Sequence, residues 1–450
     1  MSIENINKVF FIGIGGIGMS GLARYFIDKG ITVLGYDREK SFITEGLKKL
    51  GVHVIYDPSK LNLSEFIDNK KETLIVYTSA ISKKHPLLKV FLENKFKVYK
   101  RSEILQKISK FGQCIAIAGT HGKTTTTAIL AHILKVADFS FCAFVGGIME
   151  NYNSNFIYNG EDFILVEADE FDRSFLNLNP NFACITSLDV DHLDIYEDSE
   201  NLNKAFIEFK NNLLDGGFLI SNEQVDIKSL KYGISDISDY IVKNIKCNSS
   251  FSQFDLHFNG CRLENLKIKL HGVHNVMNSV AAVSVALKLG VSEKQIFNAL
   301  DSFDGIERRF SYKINNENIV LIDDYAHHPE EIKQVFKTLK SIYPNEHLLV
   351  VFQPHLFSRT RDLLDEFADV LSEFDAVILL DIYPAREEPI SGVSSEILLQ
   401  KIKSNNKYLS KKSDLSDMIK NIGYKVNITL GAGDIGKEVE QIKSELEYAV

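Results

Sequence analysis

CIAIAGTHGKTTTTAILAHIL, running from Cys114 to Leu134, is the stretch whose reading decides the fold. The apolar run to Ala118 reads as a buried strand, Gly119-Thr120-His121-Gly122-Lys123-Thr124 as a tight turn, and the residues from Thr125 onward as a helix. A strand that feeds a glycine turn opening a helix is built to hold phosphate. Successive backbone amides form an anion nest, Lys123 reaches the β- and γ-phosphates, and the Thr124 hydroxyl is placed to ligate Mg²⁺. The usual spacing of such a loop puts glycine at position 117, where this chain has Ile117, so the turn is a shorter form.

Moving outward, an equally good turn already opens the chain in VFFIGIGGIGMSGLARYF, Val9 to Phe26. Gly13, Gly15 and Gly18 fit G-x-G-x-x-G literally, and Asp37 ends the next strand at about the 20-residue distance of a dinucleotide fingerprint. From these residues alone the turn reads either as a nicotinamide-dinucleotide site or as a tight strand-to-helix turn without a ligand. Two phosphate turns imply two nucleotide-bearing ligands, or one working site and one relic.

The 450 residues suffice for about three domains. Apolar runs alternate with helical patterns from residue 1 to about 108, giving a doubly wound α/β unit. A second α/β unit starts at Cys114, with further strands in FILVEADE and FACITSLDVDH. FDLHFNGCRLENLKIKL alternates around Asn259-Gly260, a hairpin signal, and a helix rich in small residues follows. A third α/β unit begins near Arg309, with strands in NIVLIDDYA, HLLVVFQPH, AVILLDIYPA and VNITLGAGD. The expected domains are 1–108, 109–310 and 311–450. Hydrophobic residues make up 45% and charged residues 25%, as in an ordinary globular protein. The net charge of −9 argues against broad nucleic-acid binding. No apolar run reaches the roughly 18 residues of a membrane span. The start MSIENINK lacks a signal-peptide core, and the five cysteines show no CxxC pairing, so reduced, buried thiols in a cytoplasmic protein are expected.

Acidic residues collect at two strand ends. LVEADEFD carries Glu167, Asp169, Glu170 and Asp172, with Glu167 and Asp169 on one face of the strand. Such clustering is unfavourable without a cation, which points to a divalent metal beside the phosphate loop. SLDVDHLDIY adds Asp189, Asp191 and His192.

GTHGKTTTT, EADE, DVDHLDIY, GVHNVMNSVAA, RRF, DDYAHHPEEI, FQPHLFSRT and DIYPAREEPISG occur in this order, and the set resembles the Mur ligases of peptidoglycan synthesis across all three expected domains. The resemblance implies a Rossmann-like N-terminal domain, a central P-loop ATPase-like domain with a β-hairpin region, and a C-terminal Rossmann-like α/β domain. It also resolves the duplicated turn: the first domain of the family receives a UDP-sugar, and the second turn binds ATP. The reaction implied is ATP-dependent joining of L-alanine to the lactyl carboxylate of UDP-N-acetylmuramate through an acyl phosphate. One or two Mg²⁺ ions assist, and the protein is a monomer or homodimer with no nucleic-acid partner and no membrane insertion.

Residue by residue, the resemblance assigns Gly13, Gly15, Gly16, Gly18, Asp37 and Arg101 to the UDP-sugar. It assigns Gly119, Thr120, His121, Gly122, Lys123, Thr124, Thr125, His274, Asn275, Asn278, Arg309 and Asp324 to ATP. Thr124, Glu167 and His192 are the implied metal ligands, and Lys123, Glu167, His192 and His327 the catalytic set. Tyr325, His327, His355 and Arg359 are implied to receive the amino acid. A plainer reading of Arg359 is a surface pair with Asp362, and His327-His328-Pro329 also fits a simple helix start. Family members often carry arginine where this chain has Leu356; Arg359 remains, so the amino-acid carboxylate loses one of two positive contacts. Lys210 is given no role.

Overall fold

The computed structural model describes residues 5–67, 70–188, 199–248, 250–385 and 387–447. Contacts divide the chain into two compact units. The first comprises residues 1–243, 255–266 and 277–303, and the second residues 244–254, 267–276 and 304–450.

The N-terminal sheet holds β1 (Lys8–Ile12), β2 (Thr32–Tyr36), β3 (His53–Ile55), β4 (Thr73–Tyr77) and β5 (Val98–Lys100) in the order β3-β2-β1-β4-β5. All pairs are parallel. β1 reads as an unbroken apolar run because both of its faces are covered. Val9 and Phe11 join one hydrophobic cluster, while Phe10 and Ile12 join another with Phe66 and Phe91. The strand order reverses between β2 and β4 across β1, so the glycine turn after β1 sits at a switch point, where open α/β sheets place ligands.

The central sheet comprises β6 (Gln113–Ala118), β7 (Phe141–Met149), β8 (Ser154–Tyr158), β9 (Phe163–Glu167), β10 (Phe182–Ile185), β11 (Phe218–Asn222), β12 (Leu230–Gly233), β13 (Tyr240–Cys247), β14 (Ser252–Phe258) and β15 (Cys261–Ile268). Their order is β15-β14-β13-β12-β11-β10-β6-β9-β7-β8, with β7 and β8 antiparallel. β6 is parallel to both β10 and β9, so the acidic end of β9 and the end of β10 both flank the phosphate loop. Asn259 and Gly260 turn β14 into β15 with φ of 48° and 78°, the positive values that a two-residue hairpin loop needs. One hydrophobic cluster runs from Val9 and Phe26 through Phe144 and Phe156 to Phe209, so the first two sheets share a core within the first unit.

The sheet of the second unit contains β16 (Ser311–Asn315), β17 (Val320–Asp324), β18 (Leu348–Phe352), β19 (Ala376–Leu379), β20 (Asn406–Leu409) and β21 (Val426–Leu430). The order is β16-β17-β21-β18-β19-β20, and only β16 is antiparallel to its neighbour. The four strands expected from sequence are its centre. Cys114, Cys142 and Cys184, in apolar strand contexts, are buried, Cys247 is half-buried, Cys261 is exposed on the hairpin, and every cysteine is free. Among the described residues no helix is long and apolar enough to cross a membrane.

Candidate active site

Glycine is required at both ends of the phosphate loop. Gly119 has φ of 133°, and a Cβ there would stand 2.1 Å from Thr186 Oγ1. Gly122 has φ of 81°, and a Cβ would stand 2.4 Å from Asn278 Oδ1, which places Asn278 directly on the loop. The end of β10 braces the turn. Thr120 N donates to Ser187 O at 3.2 Å, and His121 N donates to Ser187 Oγ at 2.8 Å. Thr124 and Thr125, in the first turn of the helix Lys123–Val136, are buried. Gly122→Ala is therefore expected to lower stability by about 1–2 kcal/mol from the left-handed backbone alone. Displacement of Asn278 adds to this, and thermal unfolding measures the sum.

Lys123 lies across its own loop. Its Nζ donates to Gly119 O at 2.6 Å and pairs with Glu170 Oε2 at 2.7 Å, and Glu170 is fully buried. Burial opposes the charge of Lys123, but Glu170, Asp169 and Glu167 outweigh it and hold the ammonium above its ordinary pKa. Burial pushes Glu167 and Glu170 up, with Lys123 acting against it in both. Glu167 accepts from Thr124 Oγ1 at 2.9 Å and from Gly146 N at 2.8 Å. Three carboxylates thus surround one ammonium, and two oxygen donors of the expected metal set touch each other. That donor set fits a hard divalent cation. Among the described residues no three His, Cys, Asp or Glu side chains are gathered as a complete metal site, and Asp189, Asp191 and His192 lie outside the described residues.

The glycine turn of the N-terminal sheet opens onto the same place. A cleft of about 300 Å³ is lined by Gly16, Gly18, Thr78 and Arg101 on one side and by Gly146, Glu167 and Asp169 on the other. A Cβ on Gly18 would stand 2.7 Å from Arg101 Nη1, so the Arg101 side chain lies against this turn. Arg101 Nη2 stands 4.0 Å from Asp169 Oδ2. Gly13 has φ of 88° and makes the tight turn. Asp37 meets the turn itself: its Oδ2 accepts from Gly15 N at 2.7 Å.

The second unit gathers the other candidates at the ends of β17 and β18. Asp324 accepts from Phe310 N and Ala326 N, each at 2.7 Å. Arg308 and Arg309 stack on Tyr325, at 5.3 and 5.4 Å from its ring centroid. His327 Nδ1 lies 3.0 Å from Tyr325 O, and its ring is 6.1 Å from that of His355. Burial lowers the pKa of His327, with Glu331 acting against it and Arg359 with it. His274, near Arg309 and Glu331, is pushed down to about 4, chiefly by burial. His328, not His327, caps the helix Pro329–Ile342, so the helix start accounts for only one of the two histidines. Asp362 pairs with Arg361 at 2.7 Å, and Arg359 forms no ion pair among the described residues. Asn275 Nδ2 donates to His271 O at 2.8 Å.

The UDP-N-acetylmuramate–L-alanine ligase of Christiangramia forsetii is 48% identical to this chain over 445 residues, covering 99% of this chain and 98% of that protein. The enzyme of the same name from Flavobacterium psychrophilum is 45% identical over 449 residues, covering 99% and 100%. The chain belongs to the Mur ligase family. Sequence models of the Mur ligase catalytic, middle and glutamate ligase domains match residues 8–112, 117–286 and 308–435 of this Mur ligase. The crystal structure of UDP-N-acetylmuramate-alanine ligase from Thermotoga maritima matches it with a TM-score of 0.84 at 28% identity, covering 98% of this chain and 100% of that one.

In this Mur ligase three residues gain a place that sequence did not give them. Glu170 is the partner of Lys123, Glu331 faces His274 and His327, and Glu387 accepts from Ser358 N at 2.9 Å at the start of the Arg359 helix. Glu170 carried a signal only as a member of the acidic cluster, not as a partner of Lys123, and Glu331, just after the histidine pair, carried one as the acidic residue of a helix first turn. Asp324 offers a direct test. Burial pushes its pKa up to about 6, against Arg309 and the two amides it accepts from. The unfolded value is about 3.9, so the native state holds the extra proton, and this group's contribution to stability is lost as pH rises from about 4 to 6. A ¹³C-carboxyl titration of Asp324 in the ligand-free protein should have its midpoint near 6. A midpoint near 4 would contradict the burial argument.

Proposed function

We propose that this Mur ligase joins L-alanine to the lactyl carboxylate of UDP-N-acetylmuramate with conversion of ATP to ADP and phosphate, in peptidoglycan precursor synthesis. The observation that carries the reading is the common cleft. The glycine turn and Arg101 line it from one sheet, and Glu167 and Asp169, beside the phosphate loop, line it from another. A UDP-sugar whose pyrophosphate rests on Gly13 to Gly18 would present its far end to the phosphate loop.

A carboxylate resists an amine because oxide is its leaving group. Attack of a carboxylate oxygen on the γ-phosphorus of ATP forms a P–O bond and expels ADP, leaving an acyl phosphate. The neutral amine of L-alanine then attacks the carbonyl carbon, and phosphate departs with the C–O bond electrons. The first step brings an anion to a polyanion, so catalysis must rest on positioning and charge neutralisation. Lys123, held protonated among carboxylates, supplies a cation at the γ-phosphate. Thr124 and Glu167 would hold Mg²⁺, with His192 for a second ion, and the metal would neutralise phosphate charge. His274, Asn275, Asn278, Arg309 and Asp324 are proposed for ATP, and Tyr325, His327, His355 and Arg359 for the amino acid. In domain terms, residues 1–108 serve the UDP-sugar, 109–310 ATP and 311–450 L-alanine. Its substrates are cytoplasmic solutes, so we place the reaction in the cytoplasm.

The test is ADP formation by the purified protein with Mg²⁺, omitting each substrate in turn, with mass detection of the product. ADP that requires both UDP-N-acetylmuramate and L-alanine is the expected result. ADP release indifferent to either, or none at all, would sink the reading.

A further inference from the structure

GAGDIG, Gly431 to Gly436, matches G-x-G-x-x-G as literally as the first turn does, and it too joins a strand, β21, to a helix, Ile435–Glu447. Its geometry shows a different use. Gln353 Oε1 accepts from Ile435 N at 2.9 Å and Gln353 Nε2 donates to Asp434 at 2.8 Å, so a side-chain amide fills the place an anion would take. A Cβ on Gly433 would stand 2.4 Å from Gln353 Oε1, and a Cβ on Gly436 2.4 Å from Arg308 Cζ. The glycines make a socket for Gln353 and for Arg308.

Arg308 is anchored on every side of that socket. Its Nε pairs with Asp323 Oδ2 at 2.9 Å, and its Nη2 donates to Gly431 O at 2.6 Å. Asp323 is itself buried and fixed by Thr429 Oγ1 at 2.8 Å. The remaining face of the guanidinium lies against Tyr325, whose backbone N donates to Arg308 O at 2.7 Å. Arg308 and Phe310 have φ of 60° and 52°, left-handed values disfavoured for residues with a Cβ. The surrounding contacts must therefore hold this segment. Tyr325 in turn lies 5.4 Å, ring to ring, from His327.

We propose that Arg308, seated in the Gly431–Gly436 socket, is a positioning residue that orients the Tyr325–His327 loop for the amino-acid substrate. The proposal rests on the functional reading above only for the identity of that substrate. Arg308 is already neutralised by Asp323, so it offers the loop a fixed plane rather than a free charge. A lysine, with a point charge and no fork, cannot make the two anchoring bonds and the stack together.

The test compares Arg308→Lys with Gly436→Ala, which leaves the arginine in place but displaces its guanidinium. Each variant should raise the KM for L-alanine about fivefold, the scale of coupling through a packed network, with the KM for UDP-N-acetylmuramate nearly unchanged. In a Tyr325→Leu background the Arg308→Lys effect should vanish. A 3-fluorotyrosine label at Tyr325 should change its ¹⁹F shift in Arg308→Lys in the ligand-free protein. That readout stands even if L-alanine proves not to be the substrate. An unchanged ¹⁹F shift, or thermal destabilisation with every KM moved equally or none moved, would overturn the proposal.

Discussion

Replacing Lys123 by alanine will abolish ADP formation and leave UDP-N-acetylmuramate bound. Removing a single preorganised donor from a developing charge costs about 10²–10³ in rate, and Lys123 is a full cation at the phosphate loop. On the proposed reading the UDP-sugar has separate donors, the turn at Gly13 to Gly18 and Arg101, which line the cleft from the side of the N-terminal sheet. The substitution also strands Glu170, which is fully buried and paired with Lys123 at 2.7 Å. Breaking a buried pair from one side costs about 3–5 kcal/mol, so Lys123→Met with Glu170→Gln is the safer form. Calorimetry on the folded variant should give near-normal UDP-N-acetylmuramate affinity. Loss of that affinity would refute the division of labour between the two turns.

Arg359→Ala will raise the KM for L-alanine by tenfold or more, as expected from about 1.5–3 kcal/mol for a charged hydrogen bond. L-Alanine offers a methyl, an ammonium and a carboxylate, and burying the methyl is worth only about 0.8 kcal/mol. Its orientation must come from charge, and an arginine fork suits a carboxylate. The plain alternative, a pair with Asp362, is taken by Arg361, while Arg359 lies near enough to His327 to depress its pKa. The KM for ATP should change much less. A normal L-alanine KM in this variant would remove Arg359 from the site.

The parts of the fold legible in the sequence are those with a single, local cause. β1 and β18 are near-continuous apolar runs because both faces of their sheets are covered, and the Asn259-Gly260 turn carries its own backbone requirement. The β7–β8 hairpin was not legible. Phe141–Met149 runs from buried residues into Gly146 and Gly147, and neither strand shows a clean alternation. β16 and β20 are mixed edge strands of the same kind. At the site, the phosphate loop was legible because its glycines, lysine and threonine are adjacent. The Lys123–Glu170 pair was not, since residues 47 apart in sequence meet only through the β6–β9 register. The plainer reading of the sequence pairs Asp362 with Arg359, whereas the helix geometry pairs it with Arg361. The glycine turn at Gly431 shows the converse: the same letters as at Gly13, filled by Gln353 and Arg308.

The central claim is that the lactyl carboxylate itself is phosphorylated, and isotope transfer tests it most directly. UDP-N-acetylmuramate labelled with ¹⁸O in that carboxylate is turned over with ATP and L-alanine, and the inorganic phosphate is analysed by mass. Passage through an acyl phosphate leaves one carboxylate oxygen on the phosphate, so the label should appear there once per product formed. Unlabelled phosphate alongside normal product would contradict the account.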